Sequence, residues 1–230
     1  MMEEKMLYQA REMIAQVGAI LFERKLTDLA GGNISMRVED KIAMSPSYSG
    51  ARKFWRLKPE DVLVLDLEGN LLLGDGKISR EAPVHLRLLN SFYPQCRAVI
   101  HAHPRNIMVF CAARQVIPPV LENTYKFGEI KQAEYARGGV QSRQLAENVY
   151  MALCGQEKRM AGQAAAVMVP WHGLFAAGKD LYAVMDAVER IETNAHCILM
   201  GRVLLADEDM LFRSRHDLAK HMEEALGEGE

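Results

Sequence analysis

Two apolar runs, "AAAVMVP" (164–170) and "LFAAG" (174–178), are separated only by Trp171, His172 and Gly173. An interval that short leaves room for little except a reversal of the chain, so the runs read as a buried strand, a turn and a returning strand. The strand "RAVIHAH" (97–103), which Pro104 stops, and the short segments "GGNISMRV" (31–38) and "KIAMS" (41–45) add further strands. "DVLVLDLEGNLLLG" (61–74) reads as two more around the tight turn Glu68-Gly69-Asn70.

Between these strands the period changes to that of a helix. Met6, Leu7, Ala10, Met13, Ile14, Val17 and Leu21 place an amphipathic helix at the N-terminal end. Ser79 is the expected N-cap of a helix in which Pro83 occupies the first turn and Val84, Leu88 and Phe92 follow at helical spacing. "RQLAENVYMAL" (143–153) and the long "DLYAVMDAVERIETNAHCILMG" (180–201) are further helices, and the polar segment from 214 onward reads as a fraying tail. With no repeat and no linker rich in Pro, Gly or Ser, the 230 residues are expected to form a single α/β domain over 1–230.

A net charge of −2 gives no global field for nucleic acid or an anionic membrane, so neither is an expected partner. No apolar run approaches the roughly 20 residues that span a bilayer. The four cysteines lie far apart without a C-x-x-C pair, as expected of reduced, buried thiols in a cytoplasmic protein. Any chemistry must therefore be local.

One such locality is "AVIHAHP" (98–104). Side chains alternate along a strand, so His101 and His103 point the same way and Ala102 the other. With His172 they make a set of three imidazoles, two closely spaced and one distant, that leaves a metal its full charge and an open position. That is the donor set of a Lewis acid rather than of a structural staple. Glu81, at the start of a helix, is either a carboxylate favoured by the dipole or, beside the metal, a general acid/base. His85, one turn later, either orients that carboxylate or packs. Amides at the helix start, with Ser79 and Arg80, offer donors to a phosphate or carboxylate, and so do Gly32 and Asn33 of "GGNIS" and Ser47 of "SPSYSG".

Taken in order, "GGNIS", "SPS-SG", "KISRE" followed by His85, "AVIHAHP", "WHGLFAAG" and "AVERIETNA" make the chain, over about residues 8 to 203, resemble the class II aldolase/adducin family. The resemblance implies an α/β/α sandwich around a mostly antiparallel sheet and a homotetramer with active sites at subunit interfaces. It implies Zn²⁺, or Mn²⁺ or Co²⁺, on His101, His103 and His172, with Glu81 as acid/base and with Gly32, Asn33, Ser47 and Ser79 holding a substrate phosphate. The implied reaction is reversible retro-aldol cleavage of a small phosphorylated ketose through an enediolate. Two departures stand out: Arg80 replaces a serine usual at that position, and Glu122, with Tyr125 nearby, stands where a tyrosine assists protonation in fuculose-phosphate aldolases. The same fold also supports epimerases, decarboxylases and dehydratases of sugar phosphates, and adducin-like modules without catalysis.

Overall fold

The computed structural model describes residues 2–136, 143–205 and 208–227. Helix α1 (Met2–Glu23) leads to the hairpin β1 (Asn33–Val38) and β2 (Lys41–Met44), followed by the short α2 (Ser49–Lys53). β3 (Leu63–Asp66) and β4 (Leu71–Leu73) form the next hairpin, in which the Asp66 carboxylate accepts from the amides of Glu68 and Asn70 and so closes the expected turn. Then come α3 (Ala82–Ser91), β5 (Ala98–Ala102), α4 (Arg105–Ala113), α5 (Arg143–Leu153) and α6 (Glu157–Gly162). The hairpin β6 (Ala164–Val169) and β7 (Gly173–Gly178), then α7 (Leu181–Leu205) and α8 (Glu208–Gly227), complete the chain. Val169 pairs with Gly173, so the reversal occupies Pro170, Trp171 and His172, one residue earlier than the sequence suggests.

The strands form one seven-stranded sheet in the order β4-β3-β2-β1-β5-β7-β6, with each neighbouring pair antiparallel. Alternation along each strand divides the buried side chains between two cores. On one face, Ile34, Ile100, Leu174 and Ala176 pack against α1, α4 and α7 through Ile14, Phe110 and Val188. On the other, Ile42, Val99, Val167 and Phe175 pack against α3, α5 and α6 through Leu88, Val149 and Met160. The result is an α/β/α sandwich with an antiparallel centre. At the β6 edge, Met168 donates to Lys131 O and accepts from Ala133 N, so a non-helical segment covers the strand's free groups.

Three sequence readings change. Ser79 is not an N-cap: α3 begins at Ala82 with Glu81 in the cap position, and Ser79 lies outside the helix, accepting from the Glu81 amide at 3.2 Å. The polar segment after 213 does not read as frayed chain, because it belongs to α8, which an Arg215–Glu129 ion pair and the i,i+4 pair Lys220–Glu224 support. Residues 228–230 of that segment lie outside the described residues. Helices α4 and α6 are additional to the elements read from the sequence.

Candidate active site

Asn33 on β1, His101 on β5 and Phe175 on β7 stand side by side on the face that α3 covers, because Asn33 pairs with His101 and His101 with Phe175. His101 lies on β5, His103 just past its end and His172 in the β6–β7 turn, so hydrogen-bonded neighbouring strands set their separation. Ligand nitrogens of the three lie within 4.8 Å of one another, with His101 Nε2 to His103 Nε2 at 3.1 Å. The ring of His101 is sandwiched between those of His172 (centroids 4.7 Å apart) and Phe175 (4.3 Å).

The tautomer of His101 suits a metal. His101 Nδ1 lies 3.0 Å from the Leu174 carbonyl oxygen, an acceptor, so Nδ1 carries the hydrogen and Nε2 keeps its lone pair. Burial pushes the His101 pKa down to about 3, which keeps the ring neutral near pH 7. Burial also lowers the pKa of His103, against the opposing charge of Asp28, whose Oδ1 stands 3.4 Å from His103 Nδ1. Gly31 and Gly173 make room for these rings: a Cβ on Gly31 would stand 2.2 Å from His103 Cε1, and one on Gly173 2.7 Å from His103 Cδ2. A convergent three-imidazole donor set, backed by carbonyl and carboxylate acceptors, fits a divalent ion, and no cysteine joins the cluster among the described residues.

Glu81 meets this cluster. Its Oε1 lies 2.5 Å from His172 Nε2 and 3.4 Å from His101 Nε2, while Oε2 accepts from Asn33 Nδ2 at 2.5 Å. Burial raises the carboxyl pKa, but the adjacent imidazoles and the Asn33 amide outweigh it and hold the group well below the ordinary carboxylate range. Glu81 is therefore a nearly buried carboxylate against two of the three imidazoles.

A cavity of about 120 Å³ opens over these groups, and Gly32, Asn33, Ser47, Ser79, Arg80, Glu81, His103 and His172 all line it. His101 lies behind, almost fully buried. The hydroxyls are not equivalent. Ser47 Oγ donates to Ile78 O (3.0 Å) and Ser49 Oγ to Pro46 O (2.6 Å), so their protons are already engaged. Ser79 Oγ instead accepts from Asn33 Nδ2 and the Glu81 amide, which leaves its own proton for a ligand. The helix-start amides are also engaged, with Ala82 N on Ser79 O and Val84 N on Glu81 O, so they do not supply the anion donors expected of them.

Two cations missed by the sequence reading or left open by it supply charge here. Lys77 lines the same cavity, and Arg80 is exposed at it with no ion pair among the described residues. Lys77 stands in the "KISRE" motif, which was the available signal. Asp28, which also accepts from the amides of Ala30 and Gly31, had only its place three residues before Gly31 to mark it as an anchor. His85 does not touch Glu81 through its ring; it bonds Ser35 instead. Glu122 and Tyr125 lie elsewhere in the protomer, beside a cavity shared with Lys126, Arg190 and Met222. Asn194 on α7 holds that segment away from the metal centre, its Oδ1 accepting from Val120 N, Leu121 N and Thr124 Oγ1.

The profile described as Class II Aldolase and Adducin N-terminal domain matches residues 12–199. The chain belongs to the class II aldolase and adducin family. Among similar proteins, a 3-oxo-tetronate 4-phosphate decarboxylase of Haemophilus influenzae (strain ATCC 51907 / DSM 11121 / KW20 / Rd) is 29% identical over 192 residues, covering 80% of this chain and 84% of that protein. A 5-deoxy-D-ribulose 1-phosphate aldolase of Bacillus thuringiensis serovar kurstaki (strain ATCC 35866 / NRRL B-4488 / HD73) is 27% identical over 190 residues, covering 81% and 83%. A solved structure of an L-fuculose 1-phosphate aldolase superposes with a TM-score of 0.74 at 24% identity, covering 92% of this chain and 96% of that one, which is a likeness of fold. This class II aldolase family member thus has relatives that break different bonds, and the family alone does not choose among them. In the described residues, no helix is long and apolar enough to cross a membrane.

Proposed function

We propose that this chain is a divalent-metal-dependent lyase that cleaves a small phosphorylated ketose by a reversible retro-aldol reaction, with Zn²⁺, Mn²⁺ or Co²⁺ on His101, His103 and His172. The observation that carries the reading is the Glu81 side chain set against His172 and His101 at the floor of a polar cavity. A divalent ion held by the three imidazoles supplies the Lewis acid for negative charge developing on the carbonyl side of the breaking bond. Glu81 accepts the proton of the substrate hydroxyl as the C–C bond breaks and returns a proton to the carbon that keeps the electron pair. Asn33 holds the Glu81 carboxylate on its far oxygen, and Ser79 and Arg80 bind the substrate's anionic end.

A second reading, decarboxylation of a phosphorylated keto acid, is favoured by two cations at one small cavity, Lys77 and Arg80, and by the 29% identical decarboxylase. The same groups serve it, since loss of CO₂ from the substrate carboxylate also leaves an electron pair on the carbon beside a carbonyl, and that carbon takes up a proton from water, relayed through Glu81. Purified, metal-loaded protein should be screened against ketose 1-phosphates, pentulose 5-phosphates, phosphorylated keto acids and unphosphorylated keto acids, scoring aldehyde, CO₂ and epimer separately. Aldehyde release supports the first reading, and CO₂ release replaces it with the second. A chain that takes up no divalent ion and turns over none of these is an adducin-like module. We also read the chain as one subunit of a cytoplasmic homotetramer, supported by the family resemblance and tested by sedimentation of the purified protein.

Arg80 gives a prediction of its own. Arg80→Ser should raise KM for the active substrate roughly 10- to 150-fold, the equivalent of a charge-assisted hydrogen bond of about 1.5–3 kcal/mol, with metal content unchanged. An unaltered KM removes Arg80 from the anion seat.

A further inference from the structure

His85 is wholly buried on α3, yet nothing in the chemistry above uses it. Its Nδ1 lies 2.6 Å from Ser35 Oγ, and its Nε2 is buried without a hydrogen-bond partner. An orphaned buried polar atom is destabilising by about 1–3 kcal/mol, so a leucine filling this site would serve packing better. The imidazole needs another reason to be there.

The geometry of the two elements supplies one. Glu81 and His85 are four residues apart on one face of the helix start, a rise of about 6 Å. Asn33 and Ser35 are two residues apart on one face of β1, a rise of about 6.6 Å. The spacings match, and the two hydrogen bonds Glu81–Asn33 and His85–Ser35 form two rungs between helix and strand. Glu81 makes no side-chain capping bond to its own helix, so its carboxylate depends on outside contacts for its place. The other contacts of α3 near its start, through Ala82, Val84 and Leu88, are apolar. A further polar contact to β1, Arg37 Nη1 donating to Leu89 O and Asn90 Oδ1, lies at the far end of the helix, so His85–Ser35 is the tie next to Glu81. The His85 ring also meets Phe175 edge-on at 6.0 Å, and Phe175 in turn stacks on His101.

We infer that His85 is a positioning residue: its bond to Ser35 holds the start of α3 on β1 and thereby aims the Glu81 carboxylate at the three imidazoles. This rests on the reading of Glu81 as the catalytic base. The test is the double variant Ser35→Ala/His85→Leu, which removes both polar partners and so leaves neither orphaned. With the substrate identified by the screen, kcat should fall about 10- to 100-fold at unchanged KM, since small misplacement of a reacting group has effects of that size. Tm should hold or rise, and the Co²⁺-loaded protein should keep the parent's metal stoichiometry and visible spectrum. In a crystal structure of the variant, the carboxylate should have moved away from Asn33 Nδ2.

An unchanged kcat overturns the proposal, as does a kcat loss matched by equal losses of metal or of folded protein, which is what a merely structural histidine would give. In a Glu81→Gln background the double substitution should have no further effect on kcat, and an effect of undiminished size there overturns it as well. Failure of the base assignment shows separately, as full activity of Glu81→Gln alone.

Discussion

Glu81→Gln should lower turnover by about 10² or more while the protein retains its metal and its fold. Glutamine keeps the size of the side chain and can still accept from Asn33 Nδ2, so the packing around this nearly buried group is preserved. What it loses is the ability to take and return a proton. It also replaces a carboxylate beside His101 and His172 by a neutral amide, and metal content measured alongside kcat separates the two effects. Turnover at the parent rate reduces Glu81 to a helix-start residue, and loss of the ion along with activity makes it a ligand instead of a base.

The second large effect belongs to the ligand set. His101→Ala should abolish stoichiometric binding of a divalent ion and activity together, because it removes the most buried of three donors and leaves an incomplete shell. Gly173→Ala is the subtler test. A Cβ there would stand 2.7 Å from His103 Cδ2, 2.8 Å from the Ala102 carbonyl oxygen and 3.0 Å from His101 Cε1. The rings could tilt away but the carbonyl could not, so the ligands must shift. Metal affinity should fall about 10- to 100-fold, the usual effect of disturbing groups that support ligands. Dialysis against a graded metal buffer, followed by elemental analysis, measures both variants. Full occupancy in the His101→Ala/His103→Ala/His172→Ala triple variant would refute the assignment outright.

The parts of this site that were legible in sequence are those that local periodicity controls. His101 and His103 share a face because strands alternate, and His172 was marked by the two apolar runs that frame it. Glu81 was placed at a helix start correctly to within a residue, but Ser79 was mistaken for the cap, because a serine four residues before an apolar helical pattern looks the same whether its hydroxyl caps or faces a cavity. Contacts between residues distant in the chain were beyond such reasoning. Asp28 reaches His103 across 75 positions, and Asn194 anchors the segment of Glu122 and Tyr125 through contacts that span 70 to 74 positions. Helix α4 was within reach, since Ile107, Phe110 and Cys111 follow the i, i+3, i+4 rule after Pro104. Its nine residues are simply few for a periodic signal. α8 is polar on average, which makes it read as a solvated tail although Leu218 and Met222 keep helical spacing.

The three imidazoles are presented by a sheet whose two apolar cores close on either side without them. In small zinc modules the ion is the nucleus of the fold, and chelation unfolds the chain. Here an ion on the three imidazoles should instead act as a linked ligand of an already folded scaffold, contributing RT ln(1 + [L]/Kd), about 4 kcal/mol at a thousandfold excess over Kd. For a chain of this size that corresponds to a shift in Tm of about 10 °C between apo and loaded protein. A chain of this architecture can therefore be emptied and refilled without passing through the unfolded state, so different divalent ions can be compared on one and the same folded preparation.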